Sequence, residues 1–224
     1  VIILEDLAYF GMDFRKDYSH PSVAPFQPTV GKYTDNYILM LSTSKAFSYA
    51  GERCAVLGIS NKLAERRYPD LKEFCGQEIF ARGIIFGALH PLSSGTSHSA
   101  QYAVAGVMKA VNDGTYNYRD DVLEYGEKAK MMKDAFTSNG FKFTYDEDLG
   151  EPIADGFYFT YYYPGFTGAE LLEKMLYYGI SAISLDTCGS TRQGIRACTS
   201  LIQRDEIPVL AERLKRFAED HPIK

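Results

Sequence analysis

Short apolar runs without helical spacing predict three strands early in the chain, at 1–5, 37–42 and 54–60. The segment between the first two runs contains three prolines: Pro21, Pro25 and Pro28. Proline can continue neither a helix nor a central strand, so this segment is predicted to be a loop. The first run, VIIL, is short and wholly apolar. It predicts a strand buried on both faces, as in parallel sheets that are covered by helices.

Helical spacing replaces these runs in the middle of the chain. Between 97 and 113, apolar residues recur at i, i+3, i+4, i+7, i+8 and i+11: Ala100, Ala103, Val104, Val107, Met108 and Val111. This stripe predicts one amphipathic helix that stops at Asn112-Asp113-Gly114. A second long helix is predicted from about 119 to 139, with Gly140 as the residue that ends it.

The remaining sequence predicts alternating strands and helices. Strands are expected where apolar and polar residues alternate or aromatic residues cluster: at 141–146, 156–163, 180–185 and 194–199. Thr167 and Glu170 have the spacing of a capping box, which predicts a helix that ends at Gly179. A last helix is expected from 206 to 219, with Asp205 as its cap. The pattern therefore predicts an α/β fold with two domains, 1–117 and 118–224.

Composition excludes several classes of protein. The chain has 224 residues, of which 46% are hydrophobic and 24% are charged, as in soluble globular proteins. A net charge of -5 without a basic run argues against nucleic-acid binding, and no apolar run is long enough to span a membrane. The four cysteines lack C-x-x-C pairing and the four histidines lack metal-ligand spacing. We therefore expect free thiols, no metal site and a cytoplasmic location.

Two polar clusters follow predicted strands. Ser42-Thr43-Ser44-Lys45 follows the second strand, with Arg53 eight residues after the lysine, and Asp6-Leu7-Ala8-Tyr9 follows the first. In open α/β sheets, ligands bind at the carboxyl ends of the strands, so both clusters can line one crevice. Hydroxyls with an arginine suit a phosphate dianion. A carboxylate, a phenol and an amine beside such a clamp suggest pyridoxal phosphate (PLP), which needs a lysine for its Schiff base.

In this combination the motifs resemble those of fold-type-I PLP enzymes, specifically the class I and II aminotransferases. D-x-A-Y, S-x-S-K and the arginine after the lysine are three of the matching elements, and Gly194-Ile195-Arg196 resembles the family's substrate-carboxylate arginine. The resemblance implies that 1–117 is the C-terminal part of a large PLP-binding domain with a mainly parallel sheet. It also implies that 118–224 is a small C-terminal α+β domain.

The resemblance implies a role for each matching residue. Lys45 would form the Schiff base and then carry a proton to and from the substrate α-carbon. Asp6 would keep the ring nitrogen protonated, although a helix or turn cap is its alternative role. Tyr9 would donate to the ring oxygen, unless it is only a packed tyrosine. Ser42 and Arg53 would bind the phosphate.

Arg196 would bind the substrate carboxylate through two parallel hydrogen bonds, the alternative being an ordinary ion pair on a strand. The substrates implied are an amino acid and a 2-oxo acid. The segment 185–190 lacks the family's Pro-Gly-x-x-Phe-Gly signature, which leaves the preferred substrate side chain open.

In the family, a phosphate-binding glycine-rich segment, an aromatic residue that stacks on the ring and an asparagine precede D-x-A-Y. In the 224 residues here, only VIILE precedes it, so none of these three elements is present before it. We therefore expect the C-terminal half of a homodimeric aminotransferase, inactive by itself. A lyase, decarboxylase or racemase on the same fold, or a non-catalytic effector domain of a regulator, remains an alternative. The upstream reading frame would discriminate: a winged helix there indicates a regulator and the missing part of the sheet indicates an enzyme.

Overall fold

The protein is described by a computed structural model for residues 1–14, 16–18, 20, 22–153 and 156–223. Pro21, one of the prolines that predict the first loop, lies outside these residues. The chain divides into two compact units. The first consists of Val1–Gly11 and Lys16–Arg119, and the second of Met12–Arg15 and Asp120–Lys224. Each unit has a sheet and helices of its own.

The first unit contains one sheet and a series of mostly short helices. Its strands are β1 (Ile3–Leu7), β2 (Tyr37–Ser42) and β3 (Ala55–Ile59). Its helices are α1 (Thr43–Ala46), α2 (Asn61–Ala64), α3 (Leu71–Cys75), α4 (Phe80–Ile84), α5 (His90–Ser93) and α6 (His98–Asn112). A π-helical turn, Ile85–Leu89, joins α4 to α5. The three predicted strands and the predicted helix at 97–113 are confirmed, with boundaries shifted by one or two residues.

The first sheet has the order β1-β2-β3. β1 and β2 are parallel, with Leu7 opposite Leu41, whereas β2 and β3 are antiparallel, with Ser42 opposite Ala55. The prediction of a mainly parallel sheet is therefore wrong for these strands, because the sheet is mixed. β3 starts at the edge where β2 ends, since the short connection through α1 does not carry the chain across the sheet.

The prediction that the first strand is buried on both faces is also wrong in this structure. β1 lies at the end of the strand order, and among the described residues it pairs only with β2. Ile3 is 40% exposed and Leu4 is 61% exposed. The apolar pattern thus identifies a strand, but burial also requires neighbours on both sides of it, and these are tertiary features.

The core of the first unit is small. Ile38 of β2 packs with Leu63 of α2 and Phe80 of α4. Of the predicted stripe on α6, only Ala100 and Val104 are buried, and they pack with Cys54. Met108, one turn beyond Val104 on the same stripe, is 36% exposed. The helical period therefore predicts α6 correctly, but not how much of its apolar face is covered.

The second unit is an α+β arrangement around one large core. Helix α7 (Tyr118–Thr137) begins with the last two residues of the first unit and continues here. The other elements are β4 (Lys142–Phe143), β5 (Glu147–Asp148), β6 (Glu151–Pro152), β7 (Tyr158–Tyr162), α8 (Gly168–Tyr177), β8 (Ile183–Ser184), β9 (Ile195–Cys198) and α9 (Ile207–Asp220). Four strands form an antiparallel sheet in the order β4-β7-β9-β8, and β5 pairs with β6.

Buried aromatic and aliphatic residues join this sheet to the helices. Phe136 of α7 stacks on Tyr161 of β7 with ring centroids 4.5 Å apart, and Phe217 of α9 packs against Phe141 and Tyr163. The capping box at Thr167 and Glu170 is present and opens α8 as predicted. Gly140 and Gly179, predicted to end α7 and α8, both have positive φ.

Three predictions about the second unit need correction. The strands expected at 141–146 and 180–185 are only the two-residue strands β4 and β8. The last helix begins at Ile207, and Asp205 is not its cap but part of a 3₁₀ turn, Arg204–Glu206. That turn has its own capping box between Gln203 and Glu206. The capping hydrogen bonds therefore form at Gln203, before the α-helix begins.

All four cysteines are free. Within the described ranges, none of the helices is both long and apolar enough to cross a membrane.

Candidate active site

The turn after β1 is held by the carboxylate of Asp6. The Ala8 N–H donates to Asp6 Oδ1 at 3.0 Å, and the Phe10 N–H donates to the Leu7 carbonyl at 3.1 Å. Aspartate often accepts a hydrogen bond from the backbone two residues farther on, which stabilises a turn. Asp6 is exposed, and a carboxylate has four acceptor positions, so capping this turn leaves most of its capacity available.

Ser42 and Thr43 position α1, the helix that carries Lys45. Ser42 is the N-cap of α1, and its Oγ accepts a hydrogen bond from the Ser44 N–H at 3.2 Å. Thr43 is buried and donates from Oγ1 to the Cys54 carbonyl at 2.6 Å. The Thr43 N–H donates to the same carbonyl at 3.3 Å. These bonds tie α1 to the segment before β3, so Thr43 is a positioning residue that the motif-based prediction missed.

The parallel pairing of β1 and β2 brings the two polar clusters together. Parallel strands end at the same edge of a sheet, and Leu7 lies opposite Leu41, so both clusters lie at the same edge. Lys45 Nζ lies 5.8 Å from the centroid of the Tyr9 ring. A cation within about 6 Å of a ring is attracted by its quadrupole. The structure therefore brings Lys45 next to Tyr9, immediately beyond the strand that carries Asp6.

Arg53 lies near this edge but turns toward its own loop. It has the left-handed backbone conformation, with φ 52° and ψ 44°, and it follows the 3₁₀ turn Ala50–Glu52. Its Nη1 donates to the Ala50 carbonyl at 2.8 Å. No hydrogen bond joins it to Ser42 among the described residues. A guanidinium has five N–H donors, so the bond to Ala50 leaves other donors for an anion.

Arg196 belongs to the second unit and lies on β9. Its guanidinium carbon lies 4.3 Å from the centroid of the Tyr158 ring. It is half-buried, and within the described part of the chain its side chain forms no ion pair or hydrogen bond. The alternative considered for Arg196, an ordinary ion pair on a strand, is therefore not seen with any described carboxylate.

Three aromatic rings hold the two turns of the first unit in place. Phe10, Phe47 and Tyr118 contact one another, with centroids between 5.7 and 6.0 Å apart. Phe10 follows Tyr9, and Phe47 is two residues after Lys45, so this cluster links both turns. Burial raises the pKa of Tyr118, and the neighbouring Arg119 charge partly offsets that shift. No local sequence signal could identify the cluster, because Tyr118 is far from the other two rings along the chain.

The grooves of the second unit do not coincide with the predicted site residues. One groove of about 530 Å³ is lined by Met132, Ala197 and Arg213 among others, and another of about 450 Å³ by Lys133, Phe143 and Tyr158 among others. Neither is lined by Asp6, Lys45 or any other predicted cofactor-binding residue. The candidate site is thus described by side chains near the ends of strands in the first unit.

The sequence matches the family model of aminotransferase class I and II over residues 1–214. The chain belongs to this family. The match covers the first unit and most of the second, including all six residues singled out from the motifs. Membership of the aminotransferase family supports a transferase, and the family depends on PLP. No protein among the curated sequences is a significant match.

Solved aminotransferases have the same fold. The chain is similar to YbdL from Escherichia coli, for which a methionine aminotransferase function was identified, with a TM-score of 0.68 at 14% identity. It also resembles the aromatic aminotransferase from Pyrococcus horikoshii, with a TM-score of 0.67 at 14% identity. A third similar structure is LysN, an α-aminoadipate aminotransferase from Thermus thermophilus, with a TM-score of 0.65 at 17% identity. LysN was complexed with N-(5'-phosphopyridoxyl)-L-leucine.

These alignments cover most of this chain but only half of each relative. YbdL, the Pyrococcus enzyme and LysN are matched over 96%, 98% and 98% of this chain, and over 50%, 52% and 50% of their own chains. At such low identity the likeness establishes the fold and not the substrate. The chain therefore has the fold of about half an aminotransferase.

The residues of the first unit fit PLP by their chemistry. A phenol and an amine follow two neighbouring parallel strands, the first of which carries a carboxylate near its end, and the amine lies against the phenol ring. These are the groups that PLP needs at its aldehyde, its ring oxygen and its ring nitrogen. The Ser42 hydroxyl at the start of α1 adds a donor for the phosphate. PLP is accordingly the cofactor that this set of aminotransferase residues suits.

Proposed function

We propose that this chain forms part of a PLP-dependent aminotransferase, which transfers an amino group between an amino acid and a 2-oxo acid. The observation that supports the proposal most directly is the approach of Lys45 Nζ to the Tyr9 ring, at 5.8 Å from its centroid. The two side chains follow parallel neighbouring strands, at the edge where ligands of α/β sheets bind. The family match supports the reaction class.

Asp6 and Tyr9 are proposed to contact the cofactor ring. The Asp6 carboxylate would hold a proton on the pyridine nitrogen, because an anion next to that nitrogen favours its protonated form. The Tyr9 hydroxyl would donate a hydrogen bond to the ring oxygen. When bound, PLP supplies a ring that withdraws electrons from the substrate α-carbon. The two residues would thus bind and orient the ring from the turn that follows β1.

Ser42 and Arg53 are proposed to bind the phosphate. The Ser42 hydroxyl accepts from Ser44 and still has its own proton to donate. Arg53 uses Nη1 for the Ala50 carbonyl and has further N–H groups for phosphate oxygens. Charge-assisted hydrogen bonds of this kind are stronger than neutral ones, so the two side chains would anchor the end of the cofactor opposite the pyridine nitrogen.

Lys45 and Arg196 are proposed to act on the substrate. The Lys45 amine would remove the proton from the substrate α-carbon and return it later, as a general base and acid. Arg196 would bind the α-carboxylate in a bidentate manner, for which a guanidinium without an ion-pair partner among the described residues is suited. Because the relatives are about twice as long, we propose that the active protein also includes the other half of the family fold. We further propose that it is a homodimer.

The experiment that tests the proposal maps the cofactor in the full-length protein. After incubation with PLP and reduction with borohydride, peptide mass spectrometry should find the cofactor on Lys45. The protein should also catalyse amino transfer with at least one pair from a panel of amino and 2-oxo acids. Lys45→Arg should abolish both results. Lys62→Arg is the matched control, because Lys62 is an exposed lysine that pairs with Asp35.

A stoichiometric adduct on another lysine would exclude Lys45 as the catalytic residue. An adduct on Lys45 without turnover on any substrate pair would contradict the aminotransferase activity and leave only cofactor binding.

A further inference from the structure

Arg196 lies on the face of the second sheet that is opposite the core. On β7 and β9, the residues that point toward the helices are buried: Phe159, Tyr161, Ile195 and Ala197. Successive side chains of a strand point to opposite faces. Tyr158, Thr160 and Arg196 therefore share the other face, and all three are half-buried.

The pairing of β7 and β9 places Tyr158 diagonally across from Arg196. Arg196 is directly opposite Thr160, and Tyr158 is opposite Cys198. Diagonal neighbours in an antiparallel pair are within reach of each other when one is aromatic and the other is long. The result is the 4.3 Å distance between the Arg196 guanidinium carbon and the Tyr158 ring centroid.

A ring next to a guanidinium can hold it in place without using its hydrogen-bond donors. The attraction acts between the cation and the face of the ring, whereas the five N–H groups lie in the guanidinium plane and point outward. Arg196 makes no ion pair or side-chain hydrogen bond with the described residues. The Tyr158 ring is thus a contact that restricts the Arg196 side chain while its donors remain available.

Arg192 also contacts an aromatic ring, but it donates a hydrogen bond within the protein as well. Its guanidinium carbon lies 4.8 Å from the centroid of the Tyr145 ring, but its Nη1 donates to the Thr144 carbonyl at 2.7 Å. Tyr145 in turn shares a hydrogen bond with Ser190. Arg192 is therefore bound into the local loop structure. Of these two ring-bound arginines on the second unit, Arg196 is the one suited to an external anion.

We propose that Tyr158 is the positioning residue for Arg196. By this inference, which rests on the proposed role of Arg196, the ring restricts the guanidinium to orientations that present two parallel N–H groups to the substrate α-carboxylate. When the guanidinium is held in place before the substrate arrives, less side-chain entropy is lost on binding. The residue acts on substrate binding and not on the proton transfer at the α-carbon.

The test replaces the ring in the full-length enzyme. Tyr158→Leu should raise KM for the best amino-acid substrate roughly three- to tenfold, the range expected for loss of a cation–π contact, with kcat changed less than about twofold. Tyr158→Phe keeps the ring and should retain the wild-type KM. Tyr145→Leu, which removes the ring next to Arg192, is the matched control and should leave KM unchanged.

A double-mutant cycle separates this inference from the proposed function. Arg196→Ala should raise KM strongly, and adding Tyr158→Leu to it should cause little further change, because the ring then has no guanidinium to hold. If Arg196→Ala leaves KM unchanged, the proposed role of Arg196 is wrong. If Arg196→Ala raises KM but Tyr158→Leu does not, or if the two effects are additive, only the positioning role is wrong.

The same experiment includes a control for folding of the variants. Thermal unfolding of each variant shows whether Tyr158→Leu damages the second sheet. If it does, Tyr158→Met keeps more of the volume without the aromatic quadrupole and should reproduce the rise in KM. An unchanged KM in a folded Tyr158→Met variant would overturn the inference.

Discussion

Asp6 and Ser42 each have a structural role in their own turn in addition to the role proposed at the cofactor. Asp6 accepts a hydrogen bond from the Ala8 N–H, and Ser42 accepts one from the Ser44 N–H. Both turns are short-range features that the residue types favour by themselves. Substitutions at these positions must therefore separate the effect on the turn from the effect on catalysis.

Asparagine and alanine separate the two roles at Asp6. Asp6→Asn keeps an oxygen that can accept from the Ala8 N–H but removes the charge, whereas Asp6→Ala removes both. In the full-length enzyme we expect both variants to lower kcat by roughly 10²- to 10³-fold, the size of effect seen when one preorganised electrostatic contact is lost. Only Asp6→Ala should also lower stability, by about 0.5–1.5 kcal/mol.

Steady-state kinetics, cofactor absorbance and chemical denaturation measure these three effects. Both variants should still take up PLP through Lys45, which separates a chemical defect from failure to bind the cofactor. An Asp6→Asn enzyme with the wild-type kcat would show that the charge of Asp6 has no part in catalysis and that the residue only caps its turn.

At the scale of secondary-structure elements, the sequence pattern was most informative where the hydrogen bonds are local. Helix α6, helix α7 and the capping box of α8 follow from periodicity and cap residues within a few positions of each other. The lengths of two strands were predicted wrongly, because pairing decides how far a strand extends. Phe143 alternates with polar neighbours as in a long strand, yet β4 has only two residues.

The approach of α8 to β9 depends on Gly168. A Cβ on Gly168, the first residue of α8, would lie 2.6 Å from the Gly194 carbonyl oxygen and 2.7 Å from Ser184 Oγ. Gly194 immediately precedes β9, and backbone atoms there cannot move without shifting the strand. This contact is therefore close enough to exclude any side chain at 168.

We expect Gly168→Ala to destabilise the chain by roughly 1–3 kcal/mol, the usual range for overpacking. Gly106→Ala is the matched control, because Gly106 lies within α6 and a Cβ there would meet no atom within 4 Å. That change should stabilise α6 by about 0.5–1 kcal/mol through helix propensity. Denaturant titration followed by circular dichroism measures both. A neutral Gly168→Ala variant would show that α8 can move away from β9 at little cost.

At the scale of the whole molecule, the chain spans only part of the length of its relatives. It covers about half of each similar aminotransferase. The apolar strand β1 is also partly exposed, with Leu4 61% accessible to solvent. Ser42 and Arg53, which we propose for the phosphate, are both also engaged within their own turns.

We therefore expect the 224-residue chain by itself to bind PLP weakly and not to transaminate. The measurement is dialysis of the PLP-treated chain, followed by a transamination assay with a panel of amino and 2-oxo acids. The full-length protein, treated in the same way, is the control and should retain its cofactor. Stoichiometric cofactor after dialysis, together with turnover by the 224-residue chain, would contradict this expectation.

The sequence alone identified the family, and it predicted the residues that we propose for PLP. D-x-A-Y and S-x-S-K are short motifs whose spacing is set by local turns, so they can be recognised without knowing the tertiary structure. The family match over 1–214 agrees with that interpretation. The same local character explains why the long helices were predicted within one or two residues of their ends.

Only the tertiary structure decided which side chains contact one another. The parallel pairing of β1 and β2 brings Lys45 to Tyr9, and the diagonal of β7 and β9 brings Arg196 to Tyr158. The tertiary structure also makes the first sheet mixed and places β1 at its edge. Strand order and register depend on contacts between residues distant in sequence, and the period of a single strand is compatible with several pairings. For this reason the motifs identify the candidate chemical groups, but strand pairing determines how they are assembled.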